Sequence, residues 1–194
     1  MIKVGLTGNI GSGKTTVASI FQALDIPVYH ADVEAKKFLE KPEVVSRIQA
    51  LFGEKVISER KIDRRALAGV VFSDEAKLNQ LNQLIHPFVE ADYRKWCESH
   101  ANDSYTVQEA AILVESGFCK MMDKVVVVAA PQEVRMERIL QRDGTTRNEV
   151  ENRMKRQMPE QELRKYADFV IENDDKQLVI PQVLKIHETL KESV

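Results

Sequence analysis

The sequence predicts an α/β fold: a three-layer sandwich with a parallel β-sheet between helices, a helical insertion and a helical lid. Three observations predict it. Short β-rich runs alternate with helical patterns along the 194 residues, as parallel strands joined by crossover helices require. The run Val125-Val126-Val127-Val128 is continuous rather than alternating, as expected where helices cover both faces of a sheet. A glycine-rich loop follows the first strand and opens the first helix.

The predicted strands are Ile2–Leu6, Ile26–His30, Thr106–Val114, Lys124–Ala130 and Phe169–Glu172. About 75 residues separate the second strand from the third, several times what a simple crossover needs. That stretch reads as a helical insertion. Asp63 caps Arg64–Phe72, Ser73 with Asp74 and Glu75 opens Ala76–Ile85, and Pro87 stands where a helix toward Trp96 begins. Leu78, Leu81, Leu84 and Ile85 fall at helical spacing and face a core. Beyond the fourth strand, Pro131 suits a first helical position and Gly144 lies just past that helix's end. Pro181 interrupts Leu178-Val179-Ile180, so the last helix either kinks or starts there.

Composition excludes several classes. With 43% hydrophobic and 30% charged residues, 8 Gly and 6 Pro, the chain is neither collagen-like nor disordered. Lys and Arg number 28 against 30 for Asp and Glu, giving a net charge of −2 and no global basic field for nucleic acid. Two cysteines, Cys97 and Cys119, build neither a disulfide framework nor a four-thiolate zinc site. Without a signal-like N-terminus or a run approaching a membrane span, the expectation is a cytoplasmic protein with no membrane partner, a monomer or weak homo-oligomer.

Gly8-Asn9-Ile10-Gly11-Ser12-Gly13-Lys14-Thr15 is a full match to the phosphate loop. Its chemistry needs this composition. Gly8, Gly11 and Gly13 let the backbone around Ser12 wrap with N–H groups inward, and the following helix adds its positive end. Lys14 supplies a point charge for the β and γ phosphates of ATP, and the Thr15 hydroxyl can join the shell of Mg2+; Thr16 follows in the nucleotide-binding stretch.

A phosphate loop does not name the reaction. Asp32, just past the second strand, stands where the ends of parallel strands open onto a ligand crevice. It either orients an acceptor hydroxyl and takes its proton, or caps the helix Val33–Leu39. Seven of the twelve arginines fall between 135 and 164, where uniform scatter puts about two. Arg142 and Arg147 bracket Asp143-Gly144-Thr145-Thr146, a lid hinge whose closure would bring guanidinium groups to the transferring phosphoryl. The alternative is a solvated face paired with Glu133, Glu137, Glu149 and Glu151. Glu115, after Ile112-Leu113-Val114, reads as a strand-end acid near the metal or as an arginine partner. His86 before Pro87 is either structural or a ligand contact. No Asn-Lys-x-Asp stretch offers guanine recognition, which disfavours a nucleotide-dependent switch and leaves small-molecule kinases, nucleoside or nucleoside monophosphate kinases among them.

In order along the chain, the phosphate loop, Ala31-Asp32, Ile62-Asp63-Arg64-Arg65-Ala66-Leu67 with Val71-Phe72, and Ile85-His86-Pro87 resemble the dephospho-CoA kinase family. So do Gln141-Arg142-Asp143, Arg153 with Gln157, and Ala167-Asp168-Phe169-Val170-Ile171-Glu172-Asn173. The resemblance implies a P-loop NTPase-type fold with a core of about 1–31, 104–140 and 166–194, a CoA-binding insertion of about 32–103 and a lid of about 141–165. It also implies transfer of the ATP γ-phosphate to the 3'-hydroxyl of dephospho-CoA with magnesium. Lys14, Asp32 and Arg142 would be catalytic, Asn173 would close over the adenine, and His86, Glu115 and Arg147 would reach the acceptor. Two departures stand out: His30-Ala31-Asp32 replaces the family's Asp-Ala-Asp, and Ala111-Ile112-Leu113-Val114-Glu115 replaces Pro-Leu-Leu-Phe-Glu.

Overall fold

The computed structural model describes residues 1–193. Strand β1 (Ile2–Thr7) leads through the glycine loop into α1 (Lys14–Ala23), which returns to β2 (Val28–His30). After the insertion come β5 (Tyr105–Glu109), β6 (Lys124–Ala129) and β7 (Phe169–Glu172). All pairings are parallel, in the order β2-β5-β1-β6-β7, with Leu6 opposite both Glu109 and Val126. The first strand of the chain thus lies centrally, and the loop that follows it emerges at the C-terminal edge of the sheet.

Alternation along the strands decides what each face does. Val4, Leu6, Tyr105, Val107, Val126, Val128 and Ile171 turn to one face and pack against Val17, Ala18 and Phe21 of α1. Val183, Ile186 and Leu190 of α9 (Val179–Glu192) complete that cluster. The helix begins just before Pro181, so the proline occupies its first turn and needs no kink. A smaller cluster joins Met136 and Ile139 of α6 (Gln132–Asp143) to Val150 of α7 (Arg147–Met154), with Ile10 of the glycine loop packed against it. Gly144 ends α6 in the left-handed conformation at φ 60°, and Thr146 with Glu149 closes a capping box on α7.

The described residues divide into two compact units, one of Met1–His30 with the chain from Cys97 onward, the other of Ala31–Trp96. The first holds the sheet, α1, α6, α7, α8 (Glu160–Leu163) and α9. The second holds α2 (Ala31–Phe38), α3 (Pro42–Phe52), a short hairpin of β3 (Ile57–Ser58) and β4 (Lys61–Ile62), α4 (Arg64–Val71) and most of α5 (Glu75–Ser99). Asp63 caps α4 as expected, its carboxylate accepting from the N–H groups of Arg65 and Ala66.

Three expectations need correction. The third strand stops at Glu109 instead of Val114, because Ala111–Ser116 turns away while Leu113 tucks fully buried beneath Gly5. The helices divided at Pro87 are one helix, with Pro87 on an exposed position inside α5. Asp32 lies within α2, which begins at Ala31, so it is not that helix's cap. Among the described residues no helix is long and apolar enough to cross a membrane.

Candidate active site

The glycine loop carries the site, and its backbone shows why the sequence needs glycine there. Gly13 sits at φ 95° as the N-cap of α1, a region that L side chains avoid. A Cβ on it would stand 2.3 Å from Asn173 Nδ2. That amide donates to the Ser12 carbonyl at 2.7 Å, while the Asn173 backbone N–H donates to Ala129 at 2.8 Å. Gly8 is equally confined, with the Val128 carbonyl 2.3 Å from its would-be Cβ.

Lys14 folds back over the loop and donates to the Gly8 carbonyl at 2.7 Å. Thr15 and Thr16, in the first turn of α1, are exposed. Thr7 Oγ1, Asn9 Oδ1 and Ser12 Oγ are buried with no hydrogen-bond partner among the described residues. Unmet buried polar atoms are costly, and the Thr7 and Ser12 hydroxyls beside the glycine loop are donors of the kind a phosphate group accepts from. The exposed Thr15 hydroxyl is a hard oxygen donor of the kind magnesium takes.

Arginines brace this loop from the side. Arg138 donates to the Gly11 carbonyl at 3.4 Å and to the carbonyl and Oδ1 of Asn173, each at 3.1 Å. Arg135 is buried and donates to Ala130 at 2.9 Å; burial pushes its guanidinium below the ordinary value, with Glu160 opposing. Arg142, by contrast, is exposed and pairs with its neighbour Asp143 at 2.6 Å, and Arg153 reaches the same carboxylate at 2.7 Å. These two hydrogen-bonded guanidinium groups hold the Asp143 carboxyl down to about 2. Arg147 pairs with Glu133 at 2.8 Å and Glu151 at 3.4 Å.

The segment after α7 is tied to the other half of the loop. The Ile10 N–H donates to Gln157 Oε1 at 2.7 Å and Asn9 Nδ2 donates to the Met158 carbonyl at 2.9 Å. A cavity of about 540 Å³ opens between Asn9, Arg135, Gln157, Met158 and Glu160. Glu115 is exposed and accepts from the Met158 N–H at 3.3 Å. It is not a strand-end acid, because β5 has ended six residues earlier. The acid at that strand end is Glu109, 7% exposed, which meets His30 Nδ1 at 3.1 Å.

In the second unit, Asp32 is exposed in the first turn of α2. His86 is half-buried on α5, and burial pushes its imidazole below the ordinary value. A cavity of about 640 Å³ lies within this unit, walled by Phe38, Leu84, Pro87 and Phe88, with three cations, Lys41, Arg47 and Lys95, and one carboxylate, Asp92, on its lining. The Lys41 ammonium stands 4.6 Å from the Phe38 ring centroid. Sequence reasoning missed this pocket, since Arg47 and Lys41 come from α3 and the residue before it and Lys95 from α5, far apart in the chain. It also missed Glu109, the acid that closes the strand Tyr105–Glu109, and the bracing role of Arg138.

Comparison with known proteins agrees with this architecture. The family model described as dephospho-CoA kinase matches residues 2–178. A dephospho-CoA kinase of Aquifex aeolicus is 40% identical over 193 residues, 98% of each chain, and one of Bacteroides fragilis is 37% identical over 186 residues, 95% of this chain and 91% of its own. The crystal structure of TT1252 from Thermus thermophilus superposes with a TM-score of 0.83 at 36% identity, covering 97% of this chain and 96% of that one. With a phosphate loop at the edge of a parallel sheet and relatives matched almost end to end, the chain belongs to the dephospho-CoA kinase family.

Proposed function

We propose that the chain transfers the γ-phosphoryl group of ATP to the ribose 3'-hydroxyl of dephospho-CoA, releasing CoA and ADP. The observation that carries this reading is the glycine loop, whose backbone, orphaned polar atoms and Lys14 together form a phosphate cradle in a chain of this family. Gly8, Gly11, Ser12, Gly13, Lys14, Thr15 and Thr16 hold the nucleotide phosphates, and Asn173 fixes the loop against the strand behind it. Lys14 leaves the Gly8 carbonyl for the β and γ phosphates, where its charge follows the transferring group. Thr15 would hold magnesium, which supplies charge neutralisation across the β and γ phosphates.

Asp32 orients the 3'-hydroxyl and accepts its proton as the new phosphorus–oxygen bond forms and the bond to ADP breaks. Its place inside α2 removes the capping duty that would otherwise explain it. Arg142 exchanges Asp143 for the nucleotide, and because the present pair is solvent-exposed that exchange costs little. The stretch 141–165 then acts as lid, with Gly144 its hinge and Arg147 brought toward the acceptor alongside Glu115. The helical unit receives the acceptor. Its cavity combines apolar walls for the pantetheine arm with Lys41, Arg47 and Lys95 for the diphosphate, and a neutral His86 offers a hydrogen bond. The reaction belongs in the cytoplasm, where both substrates are at hand.

Acceptor profiling tests this reading. The protein is incubated with labelled ATP, magnesium and a panel of dephospho-CoA, adenosine, AMP and uridine. Label should pass to dephospho-CoA at a rate at least about a hundredfold above the others, since only it fills the helical pocket. Transfer to free nucleosides or monophosphates at equal rates would refute the assignment.

A further inference from the structure

Two residues beyond α7 hold one arm of the glycine loop from 147 and 149 residues away along the chain. The arm is Gly8-Asn9-Ile10, and with Gly8 at φ 154° and Gly11 at φ 80° its backbone has a loose joint at either end. A planar peptide in such a stretch keeps its direction only if both of its polar groups are held. The peptide joining Asn9 to Ile10 is held at both. Its carbonyl accepts from the Ser12 N–H at 3.1 Å, and its N–H donates to Gln157 Oε1 at 2.7 Å.

The holder is itself fixed. Gln157 donates its N–H to the Met154 carbonyl in the last turn of α7 at 3.1 Å, and Pro159 stands before α8 at φ −54°. Between them the Met158 carbonyl accepts from Asn9 Nδ2 at 2.9 Å, and its N–H donates to Glu115 at 3.3 Å. The arm also has a direction in the chemistry. Lys14 Nζ rests on the Gly8 carbonyl at 2.7 Å. The lysine of such a loop serves the β and γ phosphates, whereas the N–H groups that open the helix serve the phosphates nearer the ribose. Residues 8–10 therefore border the phosphoryl group that leaves, and residues 13–15 border the two phosphates that ADP keeps.

We propose that Gln157 is a positioning residue for the transferring phosphoryl group. It touches no nucleotide, and by fixing the peptide that joins Asn9 to Ile10 it aims the γ side of the loop. This rests on the phosphoryl-transfer reading above. Misplacing a group at a reacting centre by about 1 Å costs about 100-fold in rate.

The test compares the full chain with Gln157→Leu, which keeps the bulk of the side chain and removes its acceptor. Calorimetry with magnesium measures binding of ADP and of β,γ-imido ATP, and steady-state kinetics measures turnover on dephospho-CoA. The variant should weaken the imido analogue at least about fivefold more than ADP and lower kcat about 10- to 100-fold, with ADP affinity and the KM of dephospho-CoA within about threefold. Gln157→Glu restores an acceptor oxygen and should recover at least about fivefold in kcat over Gln157→Leu. If Gln157→Leu does not fold, Gln157→Asn, whose amide falls one methylene short, replaces it and should lose about three- to tenfold in kcat with the same split. An unchanged ratio of the two affinities, wild-type kcat in Gln157→Leu, or no recovery in Gln157→Glu overturns the proposal. Absence of turnover in the unaltered protein would instead remove the acceptor reading, and the ratio of the two affinities then decides this one.

Discussion

The side-chain amide of Asn173 donates to the Ser12 carbonyl at 2.7 Å and occupies the place where a Cβ on Gly13 would fall. One residue from the far end of the sheet thereby fixes the turn from which α1 starts. Gly13→Ala meets both this amide and a strained φ, and should cost about 1–3 kcal/mol of stability together with nucleotide affinity. Adding Asn173→Ala removes the clash and leaves the dihedral strain, so the double variant should lose less than the sum of the single losses. Chemical denaturation of the four proteins measures this coupling directly.

Arg138 and Arg142 lie one turn apart on α6 and should behave differently. Arg138 ties Gly11 to Asn173, so Arg138→Ala should lower stability by about 1–2 kcal/mol and weaken ATP binding. Arg142 pairs with an adjacent aspartate in solvent, so Arg142→Ala should leave the unfolding midpoint unchanged within about 0.5 kcal/mol. Its effect belongs in turnover, lowered about 100-fold or more. Thermal unfolding and steady-state kinetics on the same preparations separate the two.

The turn from α6 to α7 should loosen in acid. Asp143 is held down to about 2 by Arg142 and Arg153, and Glu149 to about 2 by the hydroxyls and N–H of Thr145 and Thr146. Both carboxyls titrate lower folded than unfolded, so their stabilisation is complete above their ordinary values of 3.8 and 4.5 and is lost as pH falls toward about 2. Amide exchange of residues 143–154 should therefore accelerate between about pH 4.5 and 2 relative to the sheet, and Glu149→Gln should abolish its share of that change.

How far the sequence carried this account depends on what kind of signal each part sends. The glycine loop between β1 and α1 was legible in the sequence, because its glycines answer to backbone conformations that the spacing encodes. The helix cap at Asp63 and the stop at Gly144 were legible for the same local reason. The end of β5 was not. Ala110–Val114 is apolar because Leu113 and Val114 are buried by the turn that follows the strand, and an apolar run does not separate a buried turn from a strand. That error moved the strand-end acid from Glu109 to Glu115. Pro87 misled in the opposite way: it reads as a boundary, yet on the exposed side of α5 the helix runs through it. The arginine-rich stretch was visible as composition, but whether a guanidinium braces the loop, as Arg138 does, or meets solvent, as Arg142 does, depends on a helix phase set by Met136 and Ile139 in the core.

Asp32→Asn separates the acceptor chemistry from nucleotide binding. The amide keeps the size and can still hold a hydroxyl, but it cannot take the proton. Turnover should fall about 100- to 10,000-fold while ATP affinity stays within about threefold. Near-normal turnover would return Asp32 to a structural role in the first turn of α2.

The central claim, phosphoryl transfer to the 3'-hydroxyl of dephospho-CoA, is tested most directly by the identity of the product. Purified protein with ATP, magnesium and dephospho-CoA should convert the acceptor to a species one phosphoryl group heavier, which a 3'-nucleotidase returns to dephospho-CoA, with one ADP formed per product. An unchanged acceptor mass, or a phosphoryl group resistant to that enzyme, would contradict the account.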